Sequence, residues 1–416
     1  PARQDFSLFA EKPLFVRFAN HEVLLSAGIR ANTLLGLSSE YAMSGKVYFD
    51  PRLNLKWTLP VFGTDNDWEI DFSAGIGWLS KFPTTAQLYP DAKYYDVVQL
   101  NYYHNNPDFR RINLRTYKWD NTNFDLTPAR NRKWEVRLNL EHRGTEFSLT
   151  YFRERMNNAF RNISYYKLFP YINYDGTSIN SSTLTAPPAL EVLTSKQDTL
   201  INTFNQTGNG TRIYKQGVEF TFHTPRVNAL KTRFTLTGAW LRTTNSTRMP
   251  TYDESTVLIG GEQLRYVGLY DWEDGSVRES FGTNVTADTY LQQIGMTLSL
   301  TAQCTWLTSS EPLWNSGVPI SYVDKSGQSH PFTEADKGNA QLRQLVHLYS
   351  EGYFKATTVP FESAINLKAS KKIGSHILLS LFVNRIAHIA PSYHRGSMLI
   401  RRSSNPYFGM EANLTF

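Results

Sequence analysis

Tyr407-Phe408-Gly409-Met410-Glu411-Ala412-Asn413-Leu414-Thr415-Phe416, the last stretch of the chain, decides the fold when it is read in steps of two. Phe408, Met410, Ala412, Leu414 and Phe416 fall on one face, and Tyr407, Gly409, Glu411, Asn413 and Thr415 on the other. Side chains alternate across a strand, so this is one strand with an apolar face and a mostly polar face. It ends on an aromatic residue. Terminal residues usually fray unless something holds them, so the expectation is a last strand fixed in a ladder, as closing a barrel requires.

The same period runs back through the chain. In residues 22–35, Val23, Leu25, Ala27 and Ile29 alternate with Ser26, Gly28 and Arg30. Leu53, Leu55 and Trp57 oppose Arg52, Asn54 and Lys56, and Trp68, Ile70, Phe72, Ile76 and Trp78 oppose Glu69, Asp71 and Ser73. Trp134, Val136, Leu138 and Leu140 oppose Glu135, Arg137 and Asn139. Further strands carry Phe147, Leu149 and Tyr151, then Val218, Phe220 and Phe222, then Phe234, Leu236 and Trp240. The purest alternation sets Ile294, Met296, Leu298, Leu300, Ala302, Cys304 and Trp306 against Thr297, Ser299, Thr301, Gln303 and Thr305. Ile365 and Leu367 lead to a turn at 371–375, after which Ile377, Leu379, Leu381 and Val383 return. Residues 5–11 suggest only a short strand, and 281–289 a weaker one. About twelve or thirteen strands are visible by period alone.

Tight turns fall at 63–67, 142–145, 224–229 and 371–375, where Gly, Asn, Asp and Pro supply turn chemistry. The other connections, 80–132, 157–212, 244–277, 307–360 and 388–404, keep no period and read as long loops. Short turns at one end and long loops at the other are the habit of outer-membrane barrels. One face of nearly every strand carries Glu, Arg, Lys, Asn, Thr or Ser, and the other is nearly free of charge. Trp57, Trp68, Trp78, Trp134, Trp240 and Trp306 lie on the apolar face, mostly near strand ends, where interfacial aromatic girdles sit. A soluble sandwich also alternates, but loops above about 15 residues are uncommon in compact soluble domains. The fold class expected is therefore all-β, an antiparallel transmembrane outer-membrane β-barrel with long extracellular loops.

Composition narrows the alternatives. Cys304 is the single cysteine, so an internal disulfide is impossible and a cysteine-based metal cluster is not expected. The net charge of +6 is mild, and no basic helix or aromatic platform in a basic groove argues for nucleic acid. No run approaches the roughly 18 apolar residues of a membrane helix, which leaves the barrel open because its signal is alternation. The chain opens Pro1-Ala2-Arg3-Gln4-Asp5 without an initiator Met, as a mature or trimmed piece would.

Several motifs resemble the barrel half of TonB-dependent outer-membrane transporters, the Bacteroidetes branch above all. They are Ser26-Ala-Gly-Ile-Arg30, Phe49-Asp-Pro-Arg-Leu-Asn-Leu-Lys56, Phe82-Pro-Thr-Thr-Ala-Gln-Leu-Tyr-Pro90, Pro128-Ala-Arg130, Ile365-Asn-Leu-Lys-Ala-Ser-Lys371 and the closing Phe408-Gly-Met-Glu411. The resemblance covers essentially residues 1–416. It implies the C-terminal portion of a barrel of about 22 strands, with the plug domain of the family not present in this sequence. It further implies active import of a nutrient ligand such as a glycan, peptide, siderophore or vitamin. Energy would come from the TonB–ExbB–ExbD system through the missing plug region, in the outer membrane of a Gram-negative cell. In that family the last strand is read by the barrel-assembly machinery, which assigns that signal to Phe408, Met410, Leu414 and Phe416. A surface lipoprotein is a possible partner. Two other readings are carried: a barrel scaffold or secretion component without transport, and a secreted soluble β-sandwich that binds carbohydrate.

No catalytic constellation, cofactor motif or metal set stands out, so an enzyme is not expected. His388 and His394 share a basic loop without a helical His-x-x-x-His or a nearby cysteine. Asp271-Trp272-Glu273-Asp274-Gly275 lacks the register and closing Glu of a calcium loop and reads as a turn. The long loops are rich in aromatics. Tyr102, Tyr103, Trp119, Tyr165, Tyr166, Trp272 and Trp314 are the candidates for a ligand vestibule, against the plainer role of packing loop on loop. Basic residues near strand ends, Arg110, Arg111, Arg130, Arg132, Lys133, Arg153, Arg155, Arg401 and Arg402, are candidates to meet membrane lipid and lipopolysaccharide phosphates.

Overall fold

A computed structural model describes residues 3–63, 67–247, 249–259, 265–271 and 274–414, together with the backbone of 262–263. Thirteen strands follow one another in one antiparallel wall in which sequence neighbours are spatial neighbours, and a short fourteenth, Thr357–Val359, pairs with Met296–Pro312 off that path. The thirteen are β1 (Gln4–Phe18), β2 (His21–Leu35), β3 (Tyr48–Thr58), β4 (Trp68–Lys81), β5 (Ala129–His142), β6 (Thr145–Tyr174) and β7 (Ser195–His223). Then come β8 (Thr232–Thr247), β9 (Asp274–Leu291), β10 (Met296–Pro312), β11 (Glu362–Ile373), β12 (Ile377–Ile389) and β13 (Tyr407–Leu414). The class is all-β, and no helix is long and apolar enough to cross a membrane.

The turns at one end are tight because the sequence supplies residues that accept positive φ. Arg143 and Gly144 (φ 49° and 75°) join β5 to β6, and Ala19 and Asn20 (φ 45° and 62°) join β1 to β2. Two successive positive φ values make the hairpin turn whose twist matches that of the strands. At the other end every connection is long.

Register fixes which side chains share a face. Leu53 pairs with Ile76, Ile76 with Trp134, and Leu149 with both Leu138 and Phe220, so one apolar surface runs across the wall. Nothing in the described chain covers it. Trp57 is 37% exposed, Leu300 48% and Leu414 60%, and Leu298 is half-buried. The opposite face is polar and in part ion-paired, although Glu69, Glu141 and Glu146 stand opposite one another on it. Arg52 meets Glu11, Lys56 meets Asp71 at 3.2 Å, Lys133 meets Glu135 at 2.8 Å, and Lys368 meets Glu411 at 3.1 Å. A water-soluble sheet buries its apolar face; this wall shows it outward, as a barrel facing lipid does. Ten residues separate Trp68 from Trp78 on β4. At about 3.3 Å per residue and a tilt near 40°, they bracket a band about 25 Å tall.

Four expectations are corrected. The first strand is not the short segment 5–11 but the whole of Gln4–Phe18, an edge strand whose two faces both stay exposed and so show no period. Segment 157–212 is not irregular: β6 and β7 continue beyond the wall as one hairpin, with Tyr165 paired to Phe204 and Tyr174 to Ser195. Register shifts between Met156, Ala159 and Arg161 break the alternation there, and a bulge hides a strand from a period-two reading. Segment 80–132 holds a hairpin of Lys93–Tyr102 and Arg111–Trp119, with its own shift between Val98 and Leu100. The apolar face is also not free of charge at its loop end. By parity with Trp134, Tyr151 and Trp240, it carries Arg132, Arg153, Arg155 and Arg242.

Both edges of the wall, β1 and β13, lack a partner strand among the described residues. β1 runs from the loop end to the tight-turn end, and so does β13, because thirteen strands separate them by an even number of reversals.

Candidate functional site

The buried apolar residues gather at the loop end, in the long connections and in the ends and extensions of the wall strands that meet them. One cluster gathers Leu34, Tyr41, Met43, Phe82, Leu88 and Leu126, with the Tyr41 hydroxyl donating to the Leu88 carbonyl. A second forms where the 93–119 hairpin lies on the β6 extension. Phe169 is 0% exposed, with the rings of Tyr95, Tyr117 and Trp119 centred 4.6, 5.0 and 5.7 Å away. A third cluster, Ile201, Val267 and Val323, lies under a four-stranded sheet of Thr251–Glu254, Val267–Tyr270, Ser321–Val323 and Ser329–Pro331. Leu342 and Leu345 pack with Tyr266, Tyr322 and Phe332 as a fourth.

A cleft of about 450 Å³ opens between the β6–β7 extension and this small sheet. Arg161, Ser164, Thr203 and Asn205 line one side, and Tyr252, Asp253, Asp274, Asn315, His347, Tyr349 and Tyr353 the other. The lining carries both signs of charge. His347 Nε2 lies 3.3 Å from Asp253 Oδ2, and Arg161 Nη2 lies 3.6 Å from Asp274 Oδ2. The Tyr349 and Tyr353 rings sit 4.7 Å apart. Gly275 lets β9 start here, since a Cβ on it would overlap the Asn245 carbonyl. Next to Asp253, burial pushes the Glu254 carboxyl up to about 6; a Thr203 hydrogen bond opposes the shift and the Asp253 charge adds to it. Burial also pushes the Tyr270 hydroxyl up, so it remains a neutral donor to the Leu345 carbonyl. Across the small sheet, hydrogen bonds from the Ser326 hydroxyl and His330 hold Asp324 well below the usual carboxylate range. Rings flanked by amides, hydroxyls and paired charges suit a polar solute with flat or apolar faces.

The aromatic candidates are distributed unevenly. Tyr166 packs edge-to-face on Tyr252 of the cleft, ring centres 4.8 Å apart. Trp314 is 72% exposed and stands between Leu313 and Asn315, both of which line the cleft. Trp119 belongs to the Phe169 cluster and ties Tyr165 to it: the indole N–H donates to the Tyr165 hydroxyl at 2.9 Å, which donates to Asn121 at 2.8 Å. Tyr102 and Tyr103 sit at the tip of the 93–119 hairpin, Tyr103 exposed beneath the Arg110 guanidinium, 4.3 Å from its ring centre. Trp272 lies outside the described residues. Sequence reading did not find Arg161, Asp253, His347, Tyr349 or Tyr353, which meet from segments far apart in the chain. The density of rings at Tyr349, Tyr353 and Phe354 was the one local signal.

In the closing strand, Phe408, Met410 and Leu414 are exposed on the apolar face, opposite Val383, Leu381 and Ile377; Phe416 lies outside the described residues. His388 is held by Glu362, Nε2 to Oε1 2.9 Å, and Arg402 Nη1 reaches the same carboxylate at 3.2 Å. His394 lies on a separate hairpin, Tyr393–Arg395 with Met398–Ile400. Among the described residues, no group of three or more His, Cys, Asp or Glu is placed to hold a metal ion. Of the basic candidates, Arg111 caps the Pro188 carbonyl at 2.7 Å and Lys133 faces the polar side of the wall.

These features define a class: an antiparallel wall of barrel type whose long connections fold into a cap at one end. No protein-family model matches the chain, and no curated protein matches it. Among solved structures, the crystal structure of the siderophore receptor PirA from Acinetobacter baumannii is similar over 92% of this chain, at 10% identity and a TM-score of 0.42. The chain spans 50% of that receptor's length.

Proposed function

We propose that this chain is the C-terminal wall and cap of an outer-membrane transporter of the TonB-dependent type, in the Bacteroidetes branch that its strand motifs resemble. The observation that carries the reading is the uncovered apolar face, continuous from Leu53 to Leu414, beside a polar face crossed by ion pairs. In this reading the apolar face meets lipid in the outer membrane, and the polar face surrounds a plug coupled to TonB–ExbB–ExbD. The cap takes up the ligand, with Tyr252, Tyr349 and Tyr353 stacking on it, Tyr166 behind Tyr252 and Trp314 at the rim. That chemistry suits a glycan, peptide, siderophore or vitamin. Open strand edges are not tolerated in hydrocarbon, so the edges of β1 and β13 meet further strands of a larger barrel.

Two substitutions on one strand test the membrane placement. Leu300→Arg puts a charge on the apolar face, and its cost at bilayer depth is about 2–4 kcal/mol. Gln303→Arg puts the same group on the polar face and is expected to be tolerated. Urea titrations of folding into lipid vesicles read the difference. Leu300 is already solvent-exposed, so equal effects within about 0.5 kcal/mol, as for ordinary surface changes, would refute lipid contact.

A further inference from the structure

Just beyond the loop-end aromatics, the outer face of β5, β6 and β7 carries an arrangement that sheet energetics disfavour. The register sets Arg132 directly opposite Arg155, and Arg153 opposite Trp134. On the other side Arg155 faces Tyr214, and Arg153 faces Gln216. All three arginines are exposed. Arg155 Nε donates to Asn157 Oδ1 at 2.9 Å, and the Arg153 guanidinium lies 5.0 Å from the Tyr214 ring centre. Neither contact supplies negative charge. By parity the acids next to the triplet in sequence, Glu135 and Glu154, point to the opposite face, where Lys133 and Lys215 lie 2.8 and 4.0 Å from them. Like charges placed directly opposite each other destabilise a strand pair, so an arginine triplet without an acid is explained by an anion from outside the chain.

Its height in the wall says which kind. On the tight-turn side of the triplet the same face continues as Trp134 and Tyr151, ring centres 5.4 Å apart, and then as Val136 and Leu149. An occupant must place negative charge at the arginines and apolar chains along the strands below. We propose that Arg132, Arg153 and Arg155 form a seat for the phosphates of an anionic outer-leaflet lipid, a site that rests on the membrane reading above. Guanidinium groups suit the task because they pair with phosphate oxygens through two parallel hydrogen bonds. The aromatic pair then lies at the boundary between headgroup and acyl chains, where amphipathic rings are favoured.

The test uses the full-length protein in dodecylmaltoside micelles and bisphosphorylated lipid A as the probe. The variant R132Q/R153Q/R155Q is expected to lose affinity by about tenfold or more, with R132Q alone intermediate. Dephosphorylated lipid A should bind the unsubstituted protein as weakly as lipid A binds the triple variant, and millimolar inorganic phosphate should not displace the lipid. Retained affinity in the folded triple variant overturns the seat, and displacement by inorganic phosphate makes it a free-anion site instead. A heat-dependent shift in gel mobility, read on the same samples, separates the two layers. A shift without lipid binding sinks the seat alone; a protein that needs no detergent and shows no shift sinks the membrane reading as well.

Discussion

Glu254 is the cap carboxyl whose burial predicts a response to pH. Its carboxyl is buried beside Asp253, and burial raises its pKa from 4.5 to about 6. A carboxyl raised in the folded state binds its proton more tightly there than in the unfolded chain, so stability falls as pH rises between these values. The contribution is fully present below about pH 4.5 and lost once pH passes about 6. Because the group is partly open to water, the effect is discounted to about 1 kcal/mol. Hydrogen exchange of the Thr251–Glu254 strand should therefore speed up between pH 5 and pH 7 by more than its intrinsic rate, and Glu254→Gln should flatten that extra dependence. An unchanged profile in the variant would mean that another group sets it. Nothing in the sequence marks Glu254, since the residues that bury it come from distant segments. Tyr166 and Trp314, by contrast, were readable as aromatics of the long segments; Tyr166 packs behind Tyr252 and Trp314 adjoins two lining residues, but neither lines the cleft itself.

At the scale of elements, the wall strands other than β1 were readable and the cap strands were not, for one reason. A strand with one uncovered apolar face and one polar face has two constant environments, so period two survives along its length, as from Met296 to Trp306. The β6–β7 extension has no constant environment. Tyr166 and Leu168 pack under the small sheet while Phe169 and Tyr171 pack on the 93–119 hairpin, so both faces are apolar in places and the bulges at Met156 and Ala159 shift the parity. The hairpin packs around one ring, beside hydrogen bonds from Arg111, Tyr117 and Trp119. Phe169 is fully buried among Tyr95, Tyr117, Trp119 and Phe204, and truncating such a ring costs about 3–5 kcal/mol. Phe169→Ala is expected to release the 93–119 hairpin to limited proteolysis between Tyr102 and Arg111. The heat-dependent gel shift of the wall should be unchanged. Loss of both together would show that cap and wall fold as one unit.

For the whole molecule the decisive quantity is parity. Thirteen strands connected in sequence leave β1 and β13 running the same way, so direct pairing of the two edges would be parallel, whereas bacterial outer-membrane barrels close antiparallel with even strand numbers. An odd number of additional strands restores antiparallel closure, which agrees with the larger barrel proposed above. A pair of cysteines tests this in the full-length protein carrying Cys304→Ser. Leu381 and Met410 are register partners on β12 and β13, and cysteines at these two positions should cross-link readily with a short bifunctional reagent. Ala10 on β1 and Ala412 on β13 lie on the same apolar face at the two edges. Cysteines there should stay unlinked in the membrane, because intervening strands, each about 4.8 Å wide, hold them apart. Efficient linkage of Ala10→Cys to Ala412→Cys would instead mean that the wall closes on itself, and the larger barrel would have to be abandoned.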